Sequence, residues 1–223
     1  VYKRQVRVTI SHFSLMIKGS SQLFVAGPPV VERGFGKSVE KNELGGSQIH
    51  AQVSGAVDNE VASEKEAFLT IKKFLSYLPQ NVWRLPPIVS CSDPIDRRDN
   101  ELLSVIPRNR REMYEIGQII SAVVDRDSFF EISPAYGQSL TVGLARMAGH
   151  AVGLMANNTK HHGGAVNASA SEKMMRFVDL CDTFHLPMIT LVDNPGFLIG
   201  TEAEREGTVR LGSRALMAIY QSS

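Results

Sequence analysis

Asp193 is the first carboxylate to consider for chemistry, because it ends an apolar run and begins a turn. Residues 188–192 have strand character, after which Pro195 removes a backbone donor and Gly196 permits a positive φ, so the chain must turn sharply. An Asp in this place more often caps the turn than acts as an acid or a base. A strand end that leads through such a loop into a helix favours a ligand held by backbone N–H groups.

Gly45 and Gly46 are a second place where backbone amides could meet a ligand. The alternative is a plain tight turn, which the residue types alone favour. The adjacent His161 and His162 have no third ligand at a useful spacing, so we expect a polar, glycine-rich loop there and no metal site.

The sequence shows no nucleophile and base at a recognisable spacing, and it carries no G-x-S-x-G, P-loop or G-x-G-x-x-G motif. Ser47 and Ser54 lie near glycines without an evident base. The other histidines stand alone in the sequence, at His12, His50, His150 and His185. A lone histidine is more often a hydrogen-bonded structural group than a base. Arg205, Arg210 and Arg214 recur at helical spacing and predict a solvated helix face, with an anionic ligand as the alternative.

The elements that would position these residues alternate between strands and helices. Strands are predicted at residues 6–10, 22–26, 129–132, 140–147, 151–156 and 188–192. Helices are predicted from Pro28, after capping boxes at 63–66 and 169–172, and over 113–124 and 202–220. The predicted buried faces are Phe68, Ile71, Leu75 and Leu78 in the second of these helices, and Met174, Phe177, Val178 and Cys181 before the strand at 188. This order predicts an α/β fold with a sheet covered by helices.

Composition narrows the class of protein. The chain has 223 residues, 43% hydrophobic and 21% charged, which suits an α/β protein with a full core. The net charge of +1 argues against a nucleic-acid partner, and the sequence has no apolar run of about 18 residues that would predict a membrane span. Cys91 and Cys181 fit no metal or redox spacing, and Cys181 is predicted to be a buried thiol; this usage suits the reducing cytoplasm.

The ends of the chain predict a fragment. Residues 1–5 resemble a non-native scar, and the last residues stop inside a helical pattern. We expect two globular halves, at 6–78 and 112–223, joined by a proline-rich linker at 79–111.

Eight motifs follow one another along the chain. They are Glu43-Leu-Gly-Gly-Ser-Gln-Ile-His50, Val53-Ser-Gly55, Phe74-Leu-Ser-Tyr-Leu-Pro79, Asp93-Pro-Ile-Asp-Arg97, Ala145-Arg-Met-Ala-Gly149, Val152-Gly-Leu-Met-Ala-Asn-Asn158, Arg176-Phe-Val-Asp-Leu-Cys-Asp182 and Leu191-Val-Asp-Asn-Pro-Gly-Phe-Leu-Ile-Gly200. In this order and spacing they resemble the carboxyltransferase (β) component of biotin-dependent acyl-CoA carboxylases, of the propionyl-CoA and acetyl-CoA carboxylase type.

This resemblance implies a crotonase-like (ClpP/crotonase) superhelical α/β fold. Residues 6–78 would be the C-terminal part of a first domain on the acyl-CoA side, and 112–223 the N-terminal part of a second domain on the biotin side. The implied activity is carboxyl transfer from carboxybiotin to the α carbon of a short acyl-CoA, in fatty acid metabolism. The implied cofactor is biotin on a carrier domain, with a coenzyme A thioester as substrate and no metal in this component.

The resemblance also implies partners. These are a biotin carboxylase and biotin carboxyl carrier subunit and further copies of the chain, in a hexamer built of dimers with the active site between two subunits. No nucleic acid and no membrane are implied.

The family's chemistry explains why no acid or base stands out. Negative charge develops on the enolate oxygen and on the biotin ureido oxygen, and preorganised backbone amides stabilise it without a titrating group. The family's two oxyanion turns would lie before Val6 and after Ser223, so we expect no catalytic residue within these 223 residues and no activity from them alone.

Two segments match the family's ligand-binding elements. Gly45 and Gly46 correspond to the acyl-CoA side. The biotin-side loop corresponds to Asn194, Pro195, Gly196, Phe197 and Gly200. Asn194 stands where many members carry Val or Thr, and residues 161–164 depart from the commoner pattern, so the acyl substrate stays open.

Two alternatives remain beside the carboxylase. One is a biotin-dependent acyl-CoA decarboxylase subunit that works with a membrane sodium pump. The other is a non-catalytic paralogue that binds coenzyme A. A crotonase-type hydratase is disfavoured, because it needs a positioned carboxylate pair that the sequence does not show.

Overall fold

The computed structural model describes residues 2–109 and 112–222, with the side chains of 2–4 left aside, and it divides into two compact units. The first unit runs to Lys72 and includes Ser133–Tyr136; the second comprises Lys73–Ile132 and the chain from Gly137 onward. Val1, at the start of the predicted scar, lies outside the described residues. That the two halves of the chain are parts of two crotonase-like domains stays a prediction.

The first unit is mostly helical around a short parallel pair of strands. Its elements are α1 (Tyr2–Thr9), β1 (Leu15–Ile17), α2 (Pro28–Phe35), α3 (Lys41–Gly45), a π-helix (Ile49–Val53), β2 (Asn59–Val61) and the start of α4 (Glu64–Tyr77). Leu15 pairs with Asn59 and Ile17 with Val61. The Asp58 carboxylate is buried beside this pair and accepts from the backbone N–H of Ser14 at 2.7 Å.

Both strands predicted near the start of the chain are wrong. Residues 6–10 continue a helix, in which the Ile10 N–H donates to the Val6 carbonyl at 3.0 Å. Residues 22–26 form only an isolated bridge between Gln22 and Gly46. An apolar alternation forms a strand only where a neighbouring strand satisfies its backbone groups, and sequence alone does not show that neighbour. The helix predicted from Pro28 is confirmed.

Helix α4 begins as predicted but buries another face. Ser63 Oγ accepts from the Glu66 N–H at 3.2 Å, while Glu66 reaches back to the Ala62 N–H at 2.8 Å. Of the predicted buried face only Leu78 is buried; the exposed fractions are 64% for Phe68, 37% for Ile71 and 57% for Leu75. The buried side chains are Ala67, Phe74, Tyr77 and Leu78. The helix carries two apolar stripes, and the aromatic one is buried because Phe74 and Tyr77 pack near Phe130.

The second unit is built on a four-stranded sheet of order β3-β4-β5-β6. Its strands are β3 (Phe130–Ile132), β4 (Leu140–Met147), β5 (His150–Asn157) and β6 (Met188–Leu191), in agreement with the sequence prediction. β4 pairs antiparallel with both β3 and β5, whereas β5 and β6 are parallel, with Gly153 opposite Met188. The carboxyl ends of β5 and β6 therefore meet at one edge of the sheet.

Helices cover both faces of this sheet, which explains why β4 and β5 are buried almost throughout. Helix α6 (Ile116–Val123) packs Ile116 and Ile120 with Val152 and Leu154 in one core cluster. Helix α7 (Ala168–Thr183) lies on the opposite face, where Gly153 leaves room for Cys181: a Cβ on Gly153 would lie 2.4 Å from its Sγ. The predicted buried thiol is confirmed, and burial raises the pKa of Cys181 to about 12.

The start of α7 differs from the predicted capping box at 169–172. The helix begins at Ala168, and the side chain of Asn167 caps it by accepting from the Ala170 N–H at 2.9 Å. Asn is as favourable as Ser at an N-cap, and here Asn167 takes that position two residues before Ser169. The predicted helix at 202–220 is also divided, into α8 (Thr201–Arg205) and α9 (Thr208–Gln221), because Gly207 adopts a left-handed conformation.

Two arginines of the sequence motifs have structural roles in the second unit. Arg97 pairs with Asp93 at 2.9 Å and donates to the carbonyls of Ser121, Ala122 and Val124, where α6 ends. The segment around Arg97 also contains a short helix, α5 (Leu102–Val105). Residues 79–109, which are the described part of the predicted linker at 79–111, are grouped with this unit, and their role as a linker stays a prediction.

Arg146 is buried and lies 4.9 Å from the centre of the Tyr77 ring. Its guanidinium donates to the carbonyls of Ser76, Pro87 and Gly149. These contacts within the protein explain much of the Ala145–Gly149 motif, so contact with a substrate is not needed to explain it.

Lys173 of α7 is 4% exposed, and burial lowers its pKa to about 8 although the charge of Glu131 on β3 raises it in part. Burial raises the pKa of Glu131, and the charge of Lys173 opposes that shift.

Among the residues described, no helix is long and apolar enough to cross a membrane.

Candidate functional site

The candidate site lies at the edge of the sheet where β5 and β6 end. Asn157 is the last residue of β5, and the loop 193–200 follows β6. Asn157 is 5% exposed; its Nδ2 donates to the Gly164 carbonyl at 3.1 Å, and its Oδ1 accepts from the Asp193 N–H at 3.3 Å. One buried carboxamide thus joins the two loops that leave the parallel strands.

The Asp193 carboxylate is held by Tyr114, which lies just before α6. The Tyr114 hydroxyl donates to Asp193 Oδ2 at 2.7 Å. Burial, followed by the hydrogen bond to Asp193 and its negative charge, raises the pKa of Tyr114 to about 12. Asp193 is therefore a hydrogen-bond acceptor within the fold, which agrees with its interpretation as a turn residue more than as an acid or base.

The turn after Asp193 has the conformation that the sequence predicts. Asn194 Oδ1 accepts from the Gly196 N–H at 2.8 Å, and φ is 126° at Gly196 and 122° at Gly200. Val166 bridges to the loop, since its N–H donates to the Gly196 carbonyl and its carbonyl accepts from the Leu198 N–H. These bonds fix the middle of the loop to the segment before α7.

Phe197 fixes the loop to α9. A Cβ on Gly212 would lie 2.3 Å from Phe197 Cε1, so the ring rests directly on the helix backbone there. The ring is still 42% exposed, and the neighbouring Val192 and Ile199 are 74% and 88% exposed. The loop therefore presents apolar side chains outward from an anchored backbone.

The amides of the loop divide into two sets. Those of Asp193, Gly196 and Leu198 donate to protein oxygens. Within residues 2–109 and 112–222, those of Asn194, Phe197, Ile199 and Gly200 have no protein acceptor. The second set can donate to a carbonyl-type oxygen of a ligand, which is the binding that the sequence predicts for this loop.

The loop that carries His161 and His162 lies next to this site. Gly164 lies close to the loop 193–200, since a Cβ on Gly164 would lie 2.6 Å from the Asp193 carbonyl oxygen. Lys160 forms an ion pair with Glu115, and Thr159 Oγ1 lies 3.4 Å from the Tyr114 carbonyl. Among the residues described, no group of three His, Cys, Asp or Glu side chains could hold a metal ion.

Gly45 and Gly46 lie in the first unit and are buried. A Cβ on Gly45 would lie 2.0 Å from the Leu23 carbonyl oxygen, and one on Gly46 would lie 2.6 Å from the Asn42 carbonyl oxygen. The Gly46 N–H donates to Asn42 at 2.9 Å. Close backbone packing explains both glycines, and their contact with an acyl-CoA stays a prediction.

The expectation that His50 has no nucleophile beside it and that Ser54 has no base is wrong, whereas the expectation of a hydrogen-bonded structural histidine is confirmed. His50 Nδ1 lies 3.1 Å from Ser54 Oγ, and Nε2 lies 2.6 Å from the Leu23 carbonyl oxygen. A carbonyl only accepts, so Nε2 carries the proton and Ser54 donates to Nδ1. The spacing of four residues was visible in the sequence, but the carbonyl of Leu23 that selects the tautomer was not. The pair ties the π-helix to the segment at Leu23.

The arginines at helical spacing lie on a solvated face, as predicted. Arg205 pairs with Glu202, and both side chains are exposed. Arg210 and Arg214 are exposed on α9. Sequence reasoning missed Asn157 and Tyr114, although a polar residue that directly ends an apolar strand was a usable signal for Asn157.

Comparison with known proteins finds a match to the carboxyl transferase domain over residues 7–223. The mitochondrial propionyl-CoA carboxylase beta chain of Sus scrofa is 38% identical over 214 residues, which are 96% of this chain and 40% of that protein. The propionyl-CoA carboxylase carboxyltransferase subunit of Haloferax mediterranei is 36% identical, over 96% of this chain and 42% of that protein.

Solved structures agree with these matches. A crystal structure of the transcarboxylase 12S hexamer with hydrolysed methylmalonyl-coenzyme A bound superposes with a TM-score of 0.90 at 32% identity, over 96% of this chain and 41% of that one. A single-chain, multi-domain long-chain acyl-CoA carboxylase gives a TM-score of 0.75 at 32% identity, over 91% of this chain and 20% of that one. This chain therefore spans about two fifths of the length of the curated relatives it matches.

Proposed function

This chain belongs to the carboxyl transferase domain family and has the crotonase-like α/β fold of that family, and from this membership we propose that it is part of the carboxyltransferase of a biotin-dependent acyl-CoA carboxylase. The proposed reaction moves a carboxyl group from carboxybiotin to the α carbon of a short acyl-CoA, of the propionyl-CoA or acetyl-CoA type. The observation that carries the proposal is the domain match across residues 7–223, supported by relatives named propionyl-CoA carboxylase.

The loop 193–200 fits a role on the biotin side. Biotin supplies the carboxyl group and presents a ureido oxygen, which accepts hydrogen bonds. The amides of Asn194, Phe197, Ile199 and Gly200 have no protein acceptor among the described residues, so they are donors that could bind such an oxygen. The exposed Phe197 and Ile199 side chains add apolar surface beside them. Pro195 and Gly196 set the turn that presents these donors.

On the acyl-CoA side we propose Gly45 and Gly46. Their support is the Glu43–His50 motif and the tight packing of this turn against Leu23. Since the Gly46 N–H already donates to Asn42, the turn would shape the site more than donate to the thioester. Negative charge on the enolate would be stabilised by backbone amides, as the family resemblance implies.

The proposed partners are a biotin carboxylase and biotin carboxyl carrier subunit and further copies of the chain. The related transcarboxylase 12S is described as a hexamer, which supports a homo-oligomer here. A cytoplasmic location stays part of the proposal and rests on composition, while the relative from Sus scrofa is named mitochondrial.

A second candidate is the decarboxylase direction. The methylmalonyl-CoA decarboxylase subunit alpha of Veillonella parvula is 34% identical over 96% of this chain, so the same domain serves that reaction in a relative. A membrane sodium pump encoded beside this gene would favour it.

The test uses the full-length protein with methylmalonyl-CoA or malonyl-CoA and free biotin. We expect formation of propionyl-CoA or acetyl-CoA that depends on biotin, measured by chromatography. With a carboxylated carrier we expect the forward reaction, which is carboxylation of the short acyl-CoA. Absence of transfer with every short acyl-CoA tried contradicts the proposal. Net decarboxylation that depends on a membrane fraction supports the second candidate.

A further inference from the structure

We propose that Tyr114 and Asn157 are positioning residues that hold the loop 193–200 in one conformation, so that those of its amides without a protein acceptor among the described residues are preformed for an acceptor on the biotin side. The inference rests on the proposed function for the identity of the acceptor. Whether Tyr114 and Asn157 hold the loop can be tested by hydrogen exchange, without measuring enzymatic turnover.

Asn157 connects the loop 193–200 to the loop that follows β5. Its carboxamide is buried and uses both ends, one toward the Gly164 carbonyl and one toward the Asp193 N–H. A buried amide that bridges two loops restricts both of them, because losing it leaves a donor and an acceptor unpaired. Gly164 supports this geometry, since any side chain there would collide with the Asp193 carbonyl.

Tyr114 holds the side chain of Asp193. Its own position is fixed, because its backbone lies 3.4 to 3.5 Å from Thr159 Oγ1 and its ring packs against the core cluster of α6. The hydroxyl is thereby placed in advance at Asp193 Oδ2. Asp193 is thus held twice, by Asn157 at its backbone and by Tyr114 at its side chain.

The consequence lies one residue further along the chain. The amides without an acceptor in the described part of the chain begin at Asn194, directly after Asp193, and Val166 holds the loop again at Gly196 and Leu198. Restraints on both sides of Asn194 and Phe197 limit the directions of their N–H groups. Preorganised donors stabilise developing charge at less cost than donors that must first be ordered.

The first experiment measures amide hydrogen exchange of the segment 190–200 by mass spectrometry in the full-length protein. We expect Tyr114→Phe and Asn157→Ala to raise its exchange rate roughly three- to tenfold, as loss of one hydrogen bond allows. Tyr77→Phe is the matched control. It removes a hydroxyl that donates to the buried Ser128 carbonyl in the same unit, and it should lower the melting temperature without faster exchange in this segment. Unchanged exchange in Tyr114→Phe overturns the inference, even if Asn157→Ala fails to fold.

The second experiment measures steady-state kinetics with free biotin and methylmalonyl-CoA. We expect Tyr114→Phe to raise the KM for biotin roughly three- to tenfold with the KM for the acyl-CoA unchanged. Asp193→Ala removes the acceptor for the Tyr114 hydroxyl and should therefore resemble Tyr114→Phe. If Tyr114→Phe changes both KM values equally, or changes neither, the inference is overturned and the proposed function is unaffected. If the wild-type protein shows no transfer, the proposed function is contradicted. The hydrogen-exchange result then decides whether Tyr114 and Asn157 position the loop.

Discussion

The glycine pair at 45–46 and the loop at 193–200 each contain two glycines and are both candidate places for backbone amides to meet a ligand, but they differ in structure. Gly45 and Gly46 are buried, and backbone atoms lie within 2.6 Å of where a Cβ would be. Gly196 and Gly200 are exposed and have φ above 120°, and no atom of the described residues lies within 4 Å of that point. The first pair needs glycine for space, and the second needs it for conformation.

This difference separates a buried structural turn at 45–46 from a candidate binding surface at 193–200. At Gly46 the N–H donates within the protein, whereas around Gly196 several amides have no protein acceptor among the residues that the structure describes. A ligand that binds backbone amides finds them at the second place without any rearrangement. A glycine motif therefore indicates a binding loop only when its amides are free.

The largest expected effect is at Gly45. Gly45→Ala places a Cβ 2.0 Å from the Leu23 carbonyl oxygen, and backbone cannot move aside as a side chain can. We expect a loss of about 3 kcal/mol or more in the free energy of unfolding. Urea denaturation measures it.

The matched control is Gly34→Ala in the last turn of α2, where no atom of the described residues lies within 4 Å of the new Cβ. It should stabilise the protein by about 0.5–1 kcal/mol through helix propensity. If Gly45→Ala is as mild as this control, the buried turn is not limited by space.

The next effect is at Gly196. The new Cβ of Gly196→Ala meets no atom in the part of the chain that the structure describes, but φ of 126° is strained for any L side chain, so we expect a cost of about 1–3 kcal/mol. The strain can be relieved by rearrangement of the exposed loop alone. Hydrogen exchange should therefore rise in 193–200 and stay unchanged in β4 and β5; a change spread over the sheet would contradict a local conformational role.

A smaller net effect is expected at Gly212. Gly212→Ala gains about 1 kcal/mol of helix propensity in α9, but its Cβ would lie 2.3 Å from the Phe197 ring and must displace it. We expect a change of less than about 1 kcal/mol in global stability, with faster proteolysis of the loop 193–200. In a Phe197→Ala background the same substitution should simply stabilise, by about 1 kcal/mol, and failure to do so would show that Phe197 is not the obstacle.

The smallest effect concerns the pKa of Tyr114. The pKa is raised to about 12, so the contribution of its hydrogen bond to stability is fully present below about pH 10 and is lost as pH rises through 12. Asp193→Ala should lower this pKa, yet not to 10, because burial is the largest cause of the shift. Tyrosinate absorbance of each protein minus that of its Tyr114→Phe counterpart measures the change. A pKa unaffected by Asp193→Ala would show that the two groups do not interact.

Much of the second unit could be predicted from the sequence. The strand prediction at 140–147 matches β4 residue for residue, and the turn at 195–196 has its positive φ at Gly196. Continuous apolar runs and Pro-Gly pairs are local signals, and here tertiary contacts agreed with them. The family was also recognisable, from motifs such as the one that contains Arg97.

The predictions that failed depended on distant partners. The chain at 6–10 had no strand to pair with, and α4 buried the stripe that meets Phe130 in place of the one predicted. The pairing of His50 with Ser54 depended on the Leu23 carbonyl, 27 residues away.

The sequence by itself determined the family, the strands β4 to β6 and the position of the loop at the end of β6, because apolar periodicity and turn chemistry act over a few residues. Only the tertiary structure decided which amides of that loop are free and which residues hold it. Asn157 and Tyr114 lie 36 and 79 residues from Asp193 along the chain, and hydrogen bonds across such separations form only when the sheet brings its strand ends together.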